Sequence, residues 1–271
     1  MSRETNKTNE QTSPPPFFTR YGFSRTNESD VELTIDPYPE ICVGGALRAT
    51  VVASAIDLVG GFHTRKIAGT DATFTSDLSL RIPCPGMPVR IETRGTRLRS
   101  GRRLVSTSVT LEADGAPYAF GTTTFSRIGR RSEEAPDLAA LSTPLVIERH
   151  PLERSLDEEV GIERVDAASG LVRLTLRPSL LNPEGVMQGA LVALVVECAA
   201  LALADTGLAR PQVVTELDLR YLASASVGPV ESQALWIGAP ADRMIRVELR
   251  DSGRAQRLTT AALVRVADAP G

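Results

Sequence analysis

Residues 182–205, NPEGVMQGALVALVVECAALALAD, constrain the fold more than any other stretch of this chain. Asn182-Pro183 keeps Asn182 out of the helical region and Gly185 allows a tight bend, so the segment opens on a turn. From Val186 to Ala204 only Gln188 and Glu197 are polar. A helix with no polar face is buried on all sides. The stretch is also long enough to cross a bilayer. A mid-helix Glu, a Gln near one end and no positive flanking residues argue for a core helix instead. Such a helix needs other elements wrapped around it, and it carries Glu197 into a dry interior. An ionisable group so placed is either paired or kept for function.

Residues 45–60, GALRATVVASAIDLVG, form a second almost wholly apolar helix, broken by Arg48, Thr50, Ser54 and Asp57. The two stretches belong to a longer repeat. At an offset of 140, Gly45 falls on Gly185, Arg48 on Gln188, Asp57 on Glu197 and Thr75 on Thr215; just beyond, DLSLR at 77–81 answers ELDLR at 216–220. Alternation predicts strands at 73–82, 89–98, 104–112 and 118–128, then near 212–223, 229–238, 243–250 and 256–267. Pro85-Gly86, Ser100-Gly101 and Asp114-Gly115 mark turns, the last a strong hairpin signal. Further short elements are expected at 31–35 (strand), 152–160 (helix) and 171–176 (strand).

The polar residues 1–20, with Pro14-Pro15-Pro16, predict a disordered tail. The aromatic cluster Phe17, Phe18, Tyr21 and Phe23 docks its end on the body. Residues 129–143, rich in charge and small residues, read as a surface linker. The organisation is therefore a tail at 1–20, a first unit at 21–128, the linker, and a second unit at 144–271. One long helix followed by four antiparallel strands, repeated once, is an α+β architecture. Two such units side by side join their sheets and set their helices antiparallel.

Composition excludes several classes of function. The net charge of −3 provides no global basic field for nucleic acid. Three widely spaced cysteines, Cys42, Cys84 and Cys198, fit neither a disulfide framework nor a metal site, and suit a reducing cytoplasm. The first sixteen residues lack the apolar core of a signal peptide. A cytoplasmic protein with no metal, no redox cofactor and no membrane or nucleic-acid partner is expected.

Gln188 and Glu197 lie nine residues apart, about 13.5 Å along the axis and on opposite faces, so they cannot serve one small reacting group. The same holds for Arg48 and Asp57. With the helices antiparallel, the start of one lies near the middle of the other. Each site is then composite, a helix N-terminus from one half facing a carboxylate from the other. Free N–H groups at a helix N-terminus stabilise charge developing on a carbonyl oxygen. A facing carboxylate can activate water or attack the carbonyl itself. Together they suffice to hydrolyse an activated acyl group.

The pattern Asn182-x5-Gln188-Gly189-x7-Glu197, with Thr215 eighteen residues further on, resembles the motif of hotdog-fold acyl-CoA thioesterases of the PaaI type. That family uses an Asn, then His-Gly at the helix start, then Asp or Glu, then Ser or Thr on the next strand. The resemblance spans about 30–128 and 145–267 and implies a double hotdog, two long buried helices each wrapped by an antiparallel sheet. Its fold also hosts dehydratases, hydratases and non-catalytic acyl-thioester binders. Dehydratases typically use an Asp/His pair, and neither helix here carries a His.

Carried over by resemblance, the first site takes Asn182, Gln188 and the Gly189 N–H from the second half, with Asp57 and Thr75 from the first. Asp57 is the base or nucleophile, Gly189 the oxyanion donor, Asn182 and Gln188 positioning groups, and Thr75 the orienter of Asp57 or water. The second site takes Cys42, Arg48 and Ala49 with Glu197 and Thr215. Cys42 replaces the Asn, and Arg48 stands ready to neutralise Glu197 as an ion pair, so this site is expected to be degenerate. The hairpin RGTRLRSGRR at 94–103 reads as a solvated face. The resemblance also implies that Gly101 and Arg102 contact coenzyme A phosphates, coenzyme A being part of the substrate. His63 and His150 fall in expected loops, outside any catalytic spacing. The implied partner is an acyl-CoA or related acyl thioester, and double-hotdog units can associate further as homo-oligomers.

Overall fold

The computed structural model describes residues 17–25, 31–69, 71–129, 151–182 and 184–271. The first half opens with β1 (Phe23–Ser24), β2 (Leu33–Ile35) and a small hairpin of β3 (Cys42–Val43) and β4 (Ala46–Leu47). Then come helix α1 (Ala49–Ala68) and strands β5 (Ala72–Arg81), β6 (Ile91–Ser100), β7 (Leu104–Ala113) and β8 (Ala116–Ile128). The second half repeats this with α2 (Leu156–Val160), β9 (Ile162–Asp166), β10 (Leu171–Leu174), α3 (Gly189–Gly207), β11 (Gln212–Tyr221), β12 (Val230–Trp236), β13 (Met244–Asp251) and β14 (Arg257–Asp268).

Twelve strands form one sheet in the order β1-β2-β6-β7-β8-β5-β11-β14-β13-β12-β10-β9. The order reads the same from either end once each strand is replaced by its repeat partner, β5 by β11, β8 by β14, β7 by β13. At the centre β5 and β11 pair antiparallel, with Leu80 opposite Leu217 and Leu78 opposite Leu219. These leucines are buried on the inner face, while Ser79 and Asp218 point outward, so alternation fixes which face wraps the helices. The helices run in opposite senses, since Ala49 meets Glu197 and Asp57 meets Gly189. A single apolar core spans both halves.

Local chemistry sets the element boundaries. Gly44 and Gly45, at φ +56° and +77°, turn β3 into β4, so α1 starts at Ala49 and not at 45. It runs on to Ala68 because its last turns still bury Thr64 and Ala68 while exposing Arg65 and Lys66. Gly60 lets β8 approach, as a Cβ there would lie 2.1 Å from Thr123 Cγ2. By length and composition α3 could cross a membrane, but residues 191–204 are all buried inside this fold.

Residues 17–20, placed in the tail on sequence grounds, instead form a 3-10 turn with Phe17 buried. Phe17, Tyr21 and Phe23 pack edge to face, so the aromatic cluster belongs to the core. Residues 1–16, nearly all of the expected linker, and His150 lie outside the described residues.

Candidate active site

Midway along α1, Asp57 faces the N-terminus of α3 from the opposite half. Thr75 Oγ1 donates to Asp57 Oδ1 at 2.8 Å. A bulge in β5 accompanies this contact: Thr75 pairs with Phe125 and Asp77 with Thr124, leaving Ser76 unpaired. The other carboxylate oxygen faces Gly189, where an added Cβ would lie 3.7 Å from Asp57 Oδ2 and 4.0 Å from the Tyr221 hydroxyl. Asp57, Thr75, Gly189, Ala190 and Tyr221 are all partly exposed. Among the described residues, the N–H groups of Gly189 and Ala190 and the Tyr221 hydroxyl have no hydrogen-bond partner. Burial raises the Asp57 pKa to about 6, opposed by the hydrogen bond from Thr75.

Asn182 and Gln188 build the start of α3. Asn182 Oδ1 accepts from the backbone N–H of Glu184 at 3.1 Å and Val186 at 3.0 Å, fixing the turn that leads into the helix. Gln188, only 7% exposed, donates from Nε2 to the carbonyls of Ser179 and Leu181, and its Oε1 accepts from the Phe17 N–H at 2.9 Å. Both ends of that amide are committed away from Asp57. The expectation that Gln188 positions substrate is therefore corrected: it ties the helix start to the loop at 179–181 and to the N-terminal aromatic turn.

The second site is closed. Glu197, one methylene longer than Asp57, fills the helix N-terminus it faces: its oxygens accept from Ala49 N–H at 2.9 Å and Thr50 N–H at 3.2 Å. Glu197, Arg48, Ala49 and Thr50 are all buried. A substrate carbonyl would find both donors taken. The expected Arg48–Glu197 ion pair is not formed; Arg48 Nη2 instead binds Asp157 Oδ1 on α2, and Nη1 lies 4.0 Å from Cys198 Sγ. Burial raises the Glu197 pKa, opposed by Arg48 and by the two N–H donors.

The remaining residues of that site serve the fold. Thr215 is itself the bulge residue of β11, between Val214 and Glu216, and its hydroxyl donates to the Arg265 carbonyl at 3.4 Å. In β5 the bulge falls one residue later, which is why equal spacing in sequence gives Thr75 a carboxylate partner and Thr215 none. Cys42 Sγ donates to the Tyr38 carbonyl at 3.4 Å, and burial pushes its pKa up to about 11. Tyr21 packs fully buried in the same interior, its hydroxyl kept protonated by burial and then by the Glu197 charge.

Gly101 and Arg102 lie at the tip of the β6–β7 hairpin, with Arg102 and Arg103 exposed. Gly95, on the same strand, packs against Val59 and His63 of α1. Ser100, next to the tip, lies in one row with Val105, Phe125 and Thr75 across β6, β7, β8 and β5, so three strand spacings, about 14 Å, separate the tip from the residue that holds Asp57. His63 sits in α1 and not in a loop, and its Nε2 pairs with Glu32 at 2.9 Å. Among the described residues no cluster of three or more His, Cys, Asp or Glu could hold a metal.

Tyr221 was not legible from the repeat. Its counterpart at the same offset is Arg81, so comparing the halves gives no signal there. Pairing of β11 with β5, which sets Arg220 opposite Asp77, is what carries Tyr221 to the side of Gly189 that Asp57 also faces.

No family model and no curated protein matches this sequence. Solved structures do match along nearly the whole chain. An acyl-ACP thioesterase from Bacteroides thetaiotaomicron is 12% identical, with a TM-score of 0.59 over 86% of this chain and 96% of that one. A 12:0-ACP thioesterase from Umbellularia californica is 10% identical, with a TM-score of 0.59 over 87% and 96%. A protein with a hotdog fold from Alicyclobacillus acidocaldarius is 11% identical, with a TM-score of 0.51 over 94% and 98%. The chain thus has the tandem hotdog fold, α+β with one large antiparallel sheet.

Proposed function

We propose that this chain is a thioester hydrolase working at the Asp57 site, with an acyl-CoA as its substrate. One observation carries the reading: a partly exposed carboxylate held by Thr75 faces the start of α3, whose first N–H groups are unpaired among the described residues. The thioester carbonyl oxygen takes the Gly189 N–H. Asp57 removes a proton from water as the new C–O bond forms, and the carbonyl π electrons move onto oxygen. Collapse then breaks the C–S bond, and the departing thiolate takes the proton from Asp57. A carboxylate with a pKa of about 6 is well poised as a base near neutral pH. Solved structures of the same fold that bear the thioesterase name support the reaction class.

The coenzyme A half rests on the hairpin tip. Arg102 and Arg103 are exposed cations suited to phosphate groups, at a distance a long carrier arm would bridge. Three free thiols fit a cytoplasmic setting. The test is thiol release from a panel of acyl-CoAs of graded chain length, with acyl-carrier-protein thioesters in parallel, by the protein and by Asp57→Asn. Release that depends on Asp57 supports the proposal. No release from any thioester, or equal release by Asp57→Asn, overturns it.

A further inference from the structure

A third group stands beside Asp57 and Gly189 and takes no part in the hydrolysis as proposed. Tyr221 ends β11, on the inner face that also carries Leu217 and Leu219. Its hydroxyl oxygen lies 4.0 Å from the point where a Gly189 side chain would begin, and Asp57 Oδ2 lies 3.7 Å from that same point. A phenol, a carboxylate and a helix N-terminus thus converge on one small space. Tyr221 Oη has no hydrogen-bond partner among the described residues and is not sealed from solvent, so it is free to meet a ligand. Glycine at 189 keeps the space clear.

Resting on the proposed hydrolysis, we infer that Tyr221 is a further catalytic residue, donating its O–H to the thioester carbonyl oxygen alongside the Gly189 N–H. The backbone donor comes from the helix axis and the phenol from the sheet. Two donors from different directions then hold the oxygen as water adds and negative charge collects on it. Burial and the nearby Asp57 charge raise the Tyr221 pKa well above its ordinary value, so the phenol remains a donor wherever Asp57 is ionised. Tyr221 comes from the second half and Asp57 from the first, so the site needs both halves of the pseudo-dimer.

The experiment compares Tyr221→Phe with the unaltered protein on the best acyl-CoA, measuring kcat, KM, melting temperature and the pH profile. Because the hydroxyl bonds no described protein group, its loss should leave the melting temperature in place. Loss of an oxyanion donor lowers kcat by on the order of a hundredfold, with KM little changed. The acid limb set by Asp57 should stay where it is, since Thr75 from β5 and Tyr221 from β11 are the side chains facing that carboxylate and Thr75 is retained. Unchanged kcat would overturn the role of Tyr221. A fall in kcat accompanied by an upward move of the acid limb would also overturn it, because the phenol would then be serving Asp57 and not the carbonyl. Absence of thiol release by the unaltered protein would remove the underlying reaction and this inference with it, an outcome distinct from the other two.

Discussion

The two carboxylates of the repeat should separate cleanly when each is replaced by its amide. Glu197 is fully buried and accepts two backbone N–H bonds, at 2.9 and 3.2 Å. Glu197→Gln keeps one acceptor and turns the other position into an NH2 group facing an N–H donor. A hydrogen bond to an ionised group is worth about 1.5–3 kcal/mol, and a buried donor left unpaired costs about 1–3 kcal/mol. Relief from burying the charge offsets the loss of the ionised hydrogen bonds, in line with the raised Glu197 pKa, and the donor left unpaired accounts for a net loss of about 2 kcal/mol. For a chain of this size that is a fall of about 4–8 °C in melting temperature. Turnover should survive, because the closed site offers a substrate no free donor.

Asp57→Asn should behave in the opposite way. The amide oxygen still accepts from Thr75, and the substitution removes a charge whose burial raises the Asp57 pKa, so the melting temperature should hold or rise. Turnover should fall about a hundredfold or more with loss of the base. Thermal unfolding and steady-state thiol release, run on both variants, decide the matter. Loss of turnover in Glu197→Gln without loss of stability would refute the argument from methylene length, and the second site would have to be counted as working.

Four further outcomes rest on the same geometry. Gly189→Ala puts a methyl group in ordinary contact with Asp57 and Tyr221, so stability should hold or rise by up to about 1 kcal/mol while hydrolysis is lost; normal kcat would show that the carbonyl does not enter there. The pH profile of kcat/KM should carry an acid limb near the Asp57 pKa of about 6, because the base must be ionised, with about a tenfold loss one unit below it. Because that folded-state pKa is raised from 3.8, the Asp57 contribution to stability is fully present below 3.8 and lost as pH rises through about 6, and Asp57→Asn should abolish this component in urea titrations across that window. Arg102→Ala should raise KM for an acyl-CoA several-fold at low salt with kcat unchanged, and an unchanged KM would remove the hairpin from substrate binding.

The repeat made the architecture legible because it records two things at once, burial all round a helix and alternation along the strands that wrap it. The offset of 140 carries β5 at Ala72–Arg81 onto β11 at Gln212–Tyr221, and the start of α1 at Ala49 onto that of α3 at Gly189. Residues defined by that offset were the ones sequence could find: Asp57 facing Gly189, and Thr75 beside Asp57. What escaped depends on contacts that no local pattern encodes. Gln188 meets Phe17 from the far end of the chain, Arg48 meets Asp157 on a short helix, and Tyr221 reaches Gly189 through the register of one strand pair.

The two sites diverged through changes that are small in sequence and decisive in space. An Asp stops short of the helix it faces, whereas a Glu reaches it and occupies the donors. A bulge at Ser76 leaves the Thr75 hydroxyl on a carboxylate, whereas a bulge at Thr215 sends its hydroxyl to a backbone carbonyl. Each change in the second half satisfies polar groups that a working site must leave open. The buried Glu197 carboxylate instead fastens α1 to α3, joining the two halves where the N-terminus of α1 would otherwise be buried without acceptors. The Asp57 site can therefore leave the N-terminus of α3 unsatisfied, since the pairing of the helices is already secured at the Glu197 site.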